Sequence, residues 1–212
     1  MAKQPDLPKC QLYLISPPLL GEDFGERLAR ALDAGSVAAF QFRVKGMDEH
    51  AQARLAEPLQ AICAARDVAF IVNDSISLAK RLGADGVHLG QSDGDPREAR
   101  ERLGRDTQIG VTCHNSRHLA MTAGEAGADY VAFGAFYPTE TKTVEHFAEL
   151  DLLEWWSQLF EIPCVAIGGI TVDNVTPLVS AGADFIAVSG AVWSNPLGET
   201  EAVRQFCAAI AG

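Results

Sequence analysis

The sequence predicts a (β/α)8 barrel, a closed ring of eight parallel strands surrounded by helices, in a single domain. Three segments, residues 82–90, 126–134 and 181–190, share one pattern: a helix end closed by glycine, an Ala-Asp turn and a short apolar strand. A helix leading into a buried strand, repeated in this way, is typical of parallel β/α architectures. The chain has 212 residues, which is short for such a barrel but within its range.

Eight short apolar segments, often β-branched or aromatic, are predicted to be strands buried on both faces. They span residues 11–15, 38–42, 69–72, 86–89, 108–112, 130–134, 164–167 and 185–188. Helical patterns occupy residues 24–34, 50–66, 75–82, 96–103, 116–126, 150–159, 176–181 and 199–210. Ser75, Asp95 before Pro96, and Ser116 are good helix caps. Eight alternating units favour a barrel over an open doubly wound sheet, and the first strand is not followed by the GxGxxG of a dinucleotide site.

Composition limits the partners and the compartment. The net charge of -11 argues against nucleic acid and anionic membrane surfaces as partners, because both repel an acidic protein. The five cysteines are widely spaced and form no CxxC, so we expect buried thiols rather than disulfides or a zinc site. Residues 1–10 are predicted to be a short polar extension of the domain, without an apolar signal region. No apolar run is long enough to span a bilayer, and we expect a cytoplasmic protein.

In a barrel of this kind, function lies where the strands end. The second strand ends in Gln41, Arg43 and Lys45, which alternate along the chain and therefore point to one side. Polar groups in register at a strand end are expected to line the mouth of the barrel. The alternative is an ordinary solvated strand exit.

Two aspartates follow neighbouring strands. Asp74 comes after the third strand, where it could instead cap the next helix, and Asp93 comes after the fourth, where it could be an ordinary turn residue. Because adjacent parallel strands end side by side, the two carboxylates are expected to face one mouth. Two such hard oxygen ligands are suited to Mg²⁺, which takes waters and substrate phosphate in its remaining positions.

Phosphate-binding features follow the last three strands. After the sixth strand, Thr139, Thr141 and Lys142 offer hydroxyl, amide and ammonium groups suited to phosphate, although a simple polar loop is the alternative. Gly169 and Ser189 follow the seventh and eighth strands, whose loops frequently form a phosphate site in barrels. Paired glycines, here with Gly168, also serve simple turns.

Two other patterns involve histidines. His114 and His118 have the spacing of a zinc pair, but His114 falls at a strand exit and no third ligand is evident, so we do not expect zinc. His88 lies inside a strand and is predicted to be a packed histidine.

Taken in order, these motifs resemble those of the thiamine-phosphate synthases. The resemblance covers about residues 12–206 and rests on the following motifs: Gln41-x-Arg43-x-Lys45, Asn73-Asp74, His88-Leu89-Gly90-Gln91-x-Asp93, Gly110-Val111-Thr112-x-His114, Pro138-Thr139-x-Thr141-Lys142, Ile167-Gly168-Gly169-Ile170 and Val188-Ser189. It implies a (β/α)8 barrel that joins hydroxymethylpyrimidine diphosphate to a thiazole phosphate, with Mg²⁺, and yields thiamine phosphate and diphosphate.

The resemblance also implies a role for each site residue. The residues expected to bind the pyrimidine diphosphate are Gln41, Arg43, Lys45, Asn73, Thr112 and Lys142. The residues expected to bind the thiazole phosphate are Thr139, Thr141, Gly169 and Ser189. Asp74 and Asp93 would ligate Mg²⁺. Arg43, Lys45, Lys142 and Thr112 would act in catalysis by stabilising the leaving diphosphate while a pyrimidine carbocation forms, a reaction that needs no strong base.

The sequence departs from this pattern in places. Val44 stands where an acidic residue is common, Ser92 replaces a common glutamate, and Ser16-Pro17-Pro18 follows the first strand where Thr-Asp is frequent. Residues 143–150 are acidic and lack the usual glycines and prolines. These changes leave the metal and diphosphate groups in place and concern the thiazole side and its loop.

Two alternatives stay open from the sequence. A thiazole tautomerase of the same fold would isomerise thiazole phosphate without metal or pyrimidine, with His114 as the proton carrier. A non-catalytic protein would bind thiazole phosphate without releasing diphosphate. The diphosphate-binding set favours the synthase. The oligomeric state is not determined by the sequence, and a homo-oligomer is compatible with it.

Overall fold

The computed structural model describes residues 10–139 and 147–212, and in it eight parallel strands close into a barrel in chain order. The strands are β1 (Gln11–Ile15), β2 (Val37–Phe42), β3 (Ala69–Asn73), β4 (Gly86–Leu89), β5 (Gln108–His114), β6 (Tyr130–Phe133), β7 (Cys164–Ile167) and β8 (Phe185–Val188). The ring closes where β8 pairs with β1, with Leu12 opposite Ile186. The predicted barrel is therefore confirmed over the open sheet.

The described part of the chain contains nine helices. They are α1 (Phe24–Asp33), α2 (Glu49–Ala64), α3 (Ile76–Leu82), α4 (Pro96–Leu103), α5 (Arg117–Glu125), α6 (Leu150–Leu159), α7 (Thr176–Ser180), α8 (Gly190–Trp193) and α9 (Glu199–Ala211). Helix α8 was not predicted, because a single turn is too short to show helical periodicity. The other elements agree with prediction to within about two residues at each end, which is the usual uncertainty of helix boundaries.

Side-chain caps start several helices as predicted. The side chains of Ser75, Asp95 and Ser116 accept hydrogen bonds from the N–H groups of Leu78, Arg97 and Leu119. Since Ser75 caps α3, the alternative reading of Asp74 as that cap is wrong. Asp74 is consequently available at the end of β3 for another purpose.

Buried side chains form two layers, because successive strand residues point to opposite faces. The larger layer lies between strands and helices and holds the bulkiest fully buried side chains, among them Phe40, Phe70, Phe133 and Trp156. The smaller layer fills the inside of the ring and consists of Tyr13, Ile15, Ala39, Ile71, Tyr130, Ala132, Val165 and Ala187. The inner layer thus contains two tyrosines whose hydroxyls require partners.

The aspartate of the threefold sequence pattern has a structural task. The carboxylates of Asp85, Asp129 and Asp184 accept hydrogen bonds from the backbone N–H groups of Phe70, Ile109 and Cys164, at 2.7, 2.7 and 2.8 Å. Each bond joins the start of an even-numbered strand to the preceding strand, and Arg100 adds an ion pair to Asp129 at 2.6 Å. The pattern therefore fastens strand pairs at the end of the barrel opposite the strands' carboxyl ends, where stability rather than chemistry is expected to dominate.

The cysteines are thiols, as the sequence predicts. All five cysteines are free thiols, and burial raises the pKa of Cys10, Cys63, Cys113 and Cys164 to about 12. Of the predicted N-terminal extension only Cys10 is among the described residues, and it is buried in the core. Within residues 10–139 and 147–212, no helix is long and apolar enough to cross a membrane.

We expect Asp129→Ala to lower the free energy of unfolding by about 1–3 kcal/mol, because it leaves the Ile109 N–H without its acceptor and removes the ion pair with Arg100. Urea unfolding followed by circular dichroism measures this change. Asp106→Ala, at an exposed residue between α4 and β5, is the matched control and should change stability by no more than about 0.5 kcal/mol. Equal unfolding midpoints for the two variants would contradict the fastening role.

Candidate active site

The carboxyl ends of β2, β3 and β4 bring four predicted site residues together. The Nζ atom of Lys45 lies 3.6 Å from Oδ2 of Asp74. The carboxyl group of Asp74 is hydrogen-bonded to that of Asp93, and the charge of Arg43 also acts on Asp74. Two cations and two carboxylates from three adjacent strand ends therefore meet at one mouth.

An unusual backbone conformation sets the position of Asp74. Its φ angle of 66° lies in the left-handed region, which aspartate tolerates better than most residues. The Asp74 N–H donates to the carbonyl of His88 at 2.8 Å, so the pairing of β3 with β4 continues for one more residue before the chain turns into α3. This turn holds the carboxylate beside Asp93 and Lys45. Strained backbone of this kind is often found at functional sites.

The electrostatics of the aspartate pair favour a bound cation. Burial, followed by the hydrogen bond and charge of Asp93, raises the pKa of Asp74, and Lys45 and Arg43 only partly oppose this. Two neighbouring carboxylates repel each other when both are ionised, and a divalent ion bound between them would relieve this repulsion. Asp93 also accepts a hydrogen bond from the Gly90 N–H at 3.0 Å, so its reading as a turn residue holds as well.

The donor set fits Mg²⁺ better than a metal enclosed by protein ligands. Among the described residues, no group of three or more His, Cys, Asp or Glu side chains is arranged to hold one metal ion. Mg²⁺ is commonly held by one or two carboxylates and completes its shell with waters and substrate phosphates. Asp74 and Asp93 would supply those carboxylates.

A chain of buried hydrogen bonds crosses the barrel interior below the mouth. The Nε2 atom of Gln41 donates to the Tyr13 hydroxyl at 2.9 Å, and this hydroxyl lies 3.0 Å from that of Tyr130. The Tyr130 hydroxyl is 3.0 Å from Nδ1 of His88, whose Nε2 is 2.8 Å from Oγ1 of Thr112. The chain thus links Gln41 with Thr112, two predicted substrate-binding residues on different strands.

The members of this chain are neutral near pH 7. Burial lowers the pKa of His88 to about 4, against a weaker opposing influence of Asp93. Burial raises the pKa of Tyr13 to about 12 and also raises the pKa of Tyr130 well above its ordinary value. The prediction of a packed histidine at position 88 is confirmed, and the structure adds that both of its ring nitrogens are engaged.

A single glycine makes room for the chain. A side chain at Gly110 on β5 would collide with the ring and hydroxyl of Tyr130 on β6. The absence of a Cβ atom at Gly110 therefore lets the Tyr130 hydroxyl reach the neighbourhood of His88.

Ser16 anchors the cationic strand end. Its buried hydroxyl accepts from the Arg43 N–H at 2.8 Å and donates to the Arg43 carbonyl at 3.0 Å. The hydroxyl of Ser189, at the end of β8, donates to the Ser16 carbonyl at 3.1 Å. Ser16, one of the departures from the family pattern, therefore ties the ends of β1, β2 and β8 together.

The glycine pair after β7 serves loop packing. Gly168 and Gly169 have φ angles of 100° and 66°, and a Cβ atom on Gly169 would lie 2.6 Å from the carbonyl oxygen of Tyr137. The close approach that the glycines permit is thus to the loop after β6. Asn174 secures the same region, because its Nδ2 donates to the Gly169 carbonyl at 3.1 Å and its Oδ1 accepts from the Thr171 N–H at 2.8 Å.

Of the remaining predicted site residues, three are among the described residues and two are not. Asn73 ends β3 opposite His88, and Thr139 is half-buried at the end of the segment that packs on Gly169. Ser189 directly precedes α8, so its backbone lies at the start of a helix. Its hydroxyl donates to the Ser16 carbonyl. Thr141 and Lys142 lie outside the described residues.

Sequence reasoning missed several residues of this region: Tyr13, Tyr130, Ser16, Gln91 and Asn174. Tyr13 and Tyr130 lie within two of the predicted strands, and their local sequence carries no motif that marks them as functional. Their positions are nevertheless informative, because Tyr13 shares the inward face of β1 with Ile15, and Tyr130 shares that of β6 with Ala132. A hydroxyl inside a barrel must find a hydrogen-bond partner there. Gln91 and Asn174 donate to the backbone carbonyls of Thr112 and Gly169, contacts for which the sequence carries no signal.

Comparisons with known proteins show the family to which the chain belongs. The family model described as thiamine monophosphate synthase matches residues 12–192. The chain belongs to this family. The thiamine-phosphate synthase of Erythrobacter litoralis is 70% identical over 205 residues, which cover 95% of each chain. That of Rhodospirillum centenum is 56% identical over 198 residues, 93% of this chain and 96% of the relative.

A solved structure supports the same placement. Thiamine phosphate pyrophosphorylase from Pyrococcus furiosus superposes with a TM-score of 0.83 at 30% identity, covering 96% of both chains. The family and the barrel fold predicted from the sequence are therefore confirmed. Family membership makes the chain an enzyme of the transferase class.

We expect the stability of the protein to fall as the pH drops from about 6.5 to about 4, in part because of His88. The folded state keeps this histidine neutral down to about pH 4, whereas the unfolded chain binds a proton near the ordinary pKa of 6.5. The unfolded state therefore gains protons first, which disfavours folding throughout this window. Urea midpoints at pH 7 and pH 4.5 should differ less in His88→Gln than in the wild type. The exposed His118→Gln is the control, and an equal reduction there would contradict the assignment.

Proposed function

We propose that the chain is a thiamine-phosphate synthase that couples hydroxymethylpyrimidine diphosphate to a thiazole phosphate, in the presence of Mg²⁺, and releases diphosphate. The observation that carries the proposal is the meeting of Arg43 and Lys45 with Asp74 and Asp93 at one mouth of a family barrel. Two cations beside a two-carboxylate ion site are the chemistry that a leaving diphosphate requires.

Lys45 and Arg43 supply positive charge where an acidic protein must bind an anionic substrate. The chain carries a net charge of -11, so an anionic substrate must meet concentrated local positive charge. The side chain of Lys45 is 65% exposed, and its ion pair with Asp74 is therefore weak enough to exchange for a phosphate oxygen. The guanidinium of Arg43 can bind two phosphate oxygens at once. When bound, Mg²⁺ would neutralise developing charge on the diphosphate as a Lewis acid.

Bond breaking in this proposal is dissociative. Loss of diphosphate leaves a pyrimidine carbocation, which the thiazole nitrogen then captures. The residues need to stabilise the departing anion and keep water away, and none has to act as a strong base. The neutral, fully engaged His88 suits such a site.

The other expected roles stay part of the proposal. Gln41, Asn73, Thr112 and Lys142 are proposed on the diphosphate side, with Lys142 and Thr112 touching the diphosphate itself. Thr139, Thr141, Gly169 and Ser189 are proposed to bind the thiazole phosphate. Phosphorylated small molecules are the proposed partners, and a cytoplasmic location stays a prediction.

The direct test is to mix the purified chain with both phosphorylated substrates and Mg²⁺, and to measure thiamine phosphate and diphosphate. We expect equal amounts of the two products, and neither when Mg²⁺ is removed by chelation. A tautomerase would isomerise the thiazole phosphate without metal or pyrimidine substrate, and a binding protein would release no diphosphate. Either result would overturn the proposal.

We expect Asp93→Asn and Lys142→Ala each to lower turnover on the order of 10²-fold, as the loss of one preorganised electrostatic contact typically does. Asparagine at position 93 retains an oxygen for the Gly90 N–H but removes the charge that raises the pKa of Asp74. Its unfolding temperature should therefore be equal to or above that of the wild type, which separates lost catalysis from lost folding. Asp106→Asn is the charge-matched control. Near-normal turnover in both site variants would contradict the assignment.

A further inference from the structure

We infer that Tyr13, Tyr130 and His88 are positioning residues that orient the hydroxyl of Thr112 as a hydrogen-bond donor toward the departing diphosphate. The identity of the anion rests on the proposed function. The orientation of the Thr112 hydroxyl rests on the hydrogen-bond chain inside the barrel.

The direction of the chain follows from counting protons. The Gln41 amide nitrogen can only donate, so the Tyr13 oxygen accepts from it. The single proton of Tyr13 is then available for Tyr130 at 3.0 Å. Tyr130 in turn donates to Nδ1 of His88, so Nδ1 is the acceptor and the ring proton lies on Nε2. That proton points at Thr112 Oγ1, 2.8 Å away.

The opposite direction fails the same count. If Tyr130 donated to Tyr13, the Tyr13 oxygen would accept twice, and neither of its two hydrogen-bond partners among the described residues would accept its own proton. Such an unpaired buried donor is strongly disfavoured. In the described part of the chain, no buried side-chain nitrogen or oxygen lacks a hydrogen-bond partner. The direction from Gln41 to Thr112 gives an acceptor to every proton that takes part in these four hydrogen bonds.

The end of the chain is where this direction matters. Tyr13, Tyr130 and His88 are buried, whereas Thr112 is only half-buried and is the member through which the chain reaches the mouth. Because Oγ1 already accepts from His88, the hydroxyl proton of Thr112 is directed outward. Its backbone carbonyl is engaged by Gln91 Nε2 at 2.6 Å. A fixed outward donor suits diphosphate, whose oxygens only accept.

Packing holds the members in place. The Tyr13 and Tyr130 rings meet edge to face with centroids 6.3 Å apart, and the His88 and Tyr130 rings stack at 5.6 Å. Gly110 leaves the space that Tyr130 occupies. The rings therefore have little freedom to reverse the chain, and hydrogen bonds aligned in one direction strengthen each other.

A double-mutant cycle tests whether Tyr130 acts through Thr112. Thr112→Val removes the final donor, and we expect turnover to fall by about 10²-fold. Tyr130→Phe keeps the ring and breaks the chain, and we expect about a 10-fold loss in kcat with KM for both substrates changed by less than about twofold. The double variant should match Thr112→Val alone. Ser157→Ala, which removes a hydroxyl bonded to the carbonyls of Glu154 in α6 and Ala181 just after α7, is the control and should keep wild-type kcat.

Two replacements of His88 test whether its N–H group orients Thr112. His88→Gln retains an N–H donor toward Thr112, whereas His88→Leu removes it. We expect the Gln variant to retain at least about 10-fold more turnover than the Leu variant. Equal losses in the two variants would show that His88 serves only to fill space, and would overturn its positioning role.

A measurement without substrate separates the relay from the proposed function. Nitrogen-15 NMR of histidine-labelled protein reports which ring nitrogen of His88 carries the proton, and we expect Nε2. A proton on Nδ1 overturns the relay, whether or not the enzyme is active. If the wild type forms thiamine phosphate but Tyr130→Phe retains full kcat, or if the losses multiply in the double variant, the relay is overturned and the function stands. If the wild type releases no diphosphate, the function fails, and the His88 proton still decides the direction of the chain.

Discussion

Closure of the sheet between β8 and β1 is the constraint on which the rest of this structure depends. A closed ring of eight strands has an interior just wide enough for its own side chains, so every inward residue must fit and every inward polar group must find a partner inside. Tyr13, Gln41, His88 and Tyr130 are buried there because they satisfy one another. Closure also brings Ser189 of the last strand against Ser16 of the first, and so supports the backbone of Arg43.

The two ends of the barrel use the same residue type in opposite ways. Asp129 and its two counterparts at one end accept backbone N–H groups, and these hydrogen bonds stabilise the fold. Asp74 and Asp93 at the other end face each other, and their proximity disfavours ionisation of Asp74. The ionised aspartate pair is therefore electrostatically unfavourable, and Lys45 and Arg43 only partly compensate it, as expected of a site that trades stability for function. The left-handed backbone of Asp74 is a second feature that is often found at functional sites.

The glycines illustrate how local sequence and packing share control. The Gly168-Gly169 pair marks a backbone that approaches something closely, and the structure identifies that neighbour as the loop after β6. Gly110, which carries no turn signal, is required by the Tyr130 ring on the adjacent strand. In both cases another segment of the chain leaves no room for a Cβ atom at the glycine position. The residues next to the glycine in the sequence do not reveal this.

The sequence by itself determined the barrel, the order of its strands and the meeting of Arg43, Lys45, Asp74 and Asp93. These follow from local periodicity and from the rule that adjacent parallel strands end side by side. Only the tertiary structure decided that Ser16 holds Arg43, that Gln41 and Thr112 are joined through Tyr13, Tyr130 and His88, and that the repeated aspartates fasten strand pairs. The physical reason is that hydrogen-bond partners between distant residues depend on side-chain direction and available space within the closed ring, which no local pattern encodes.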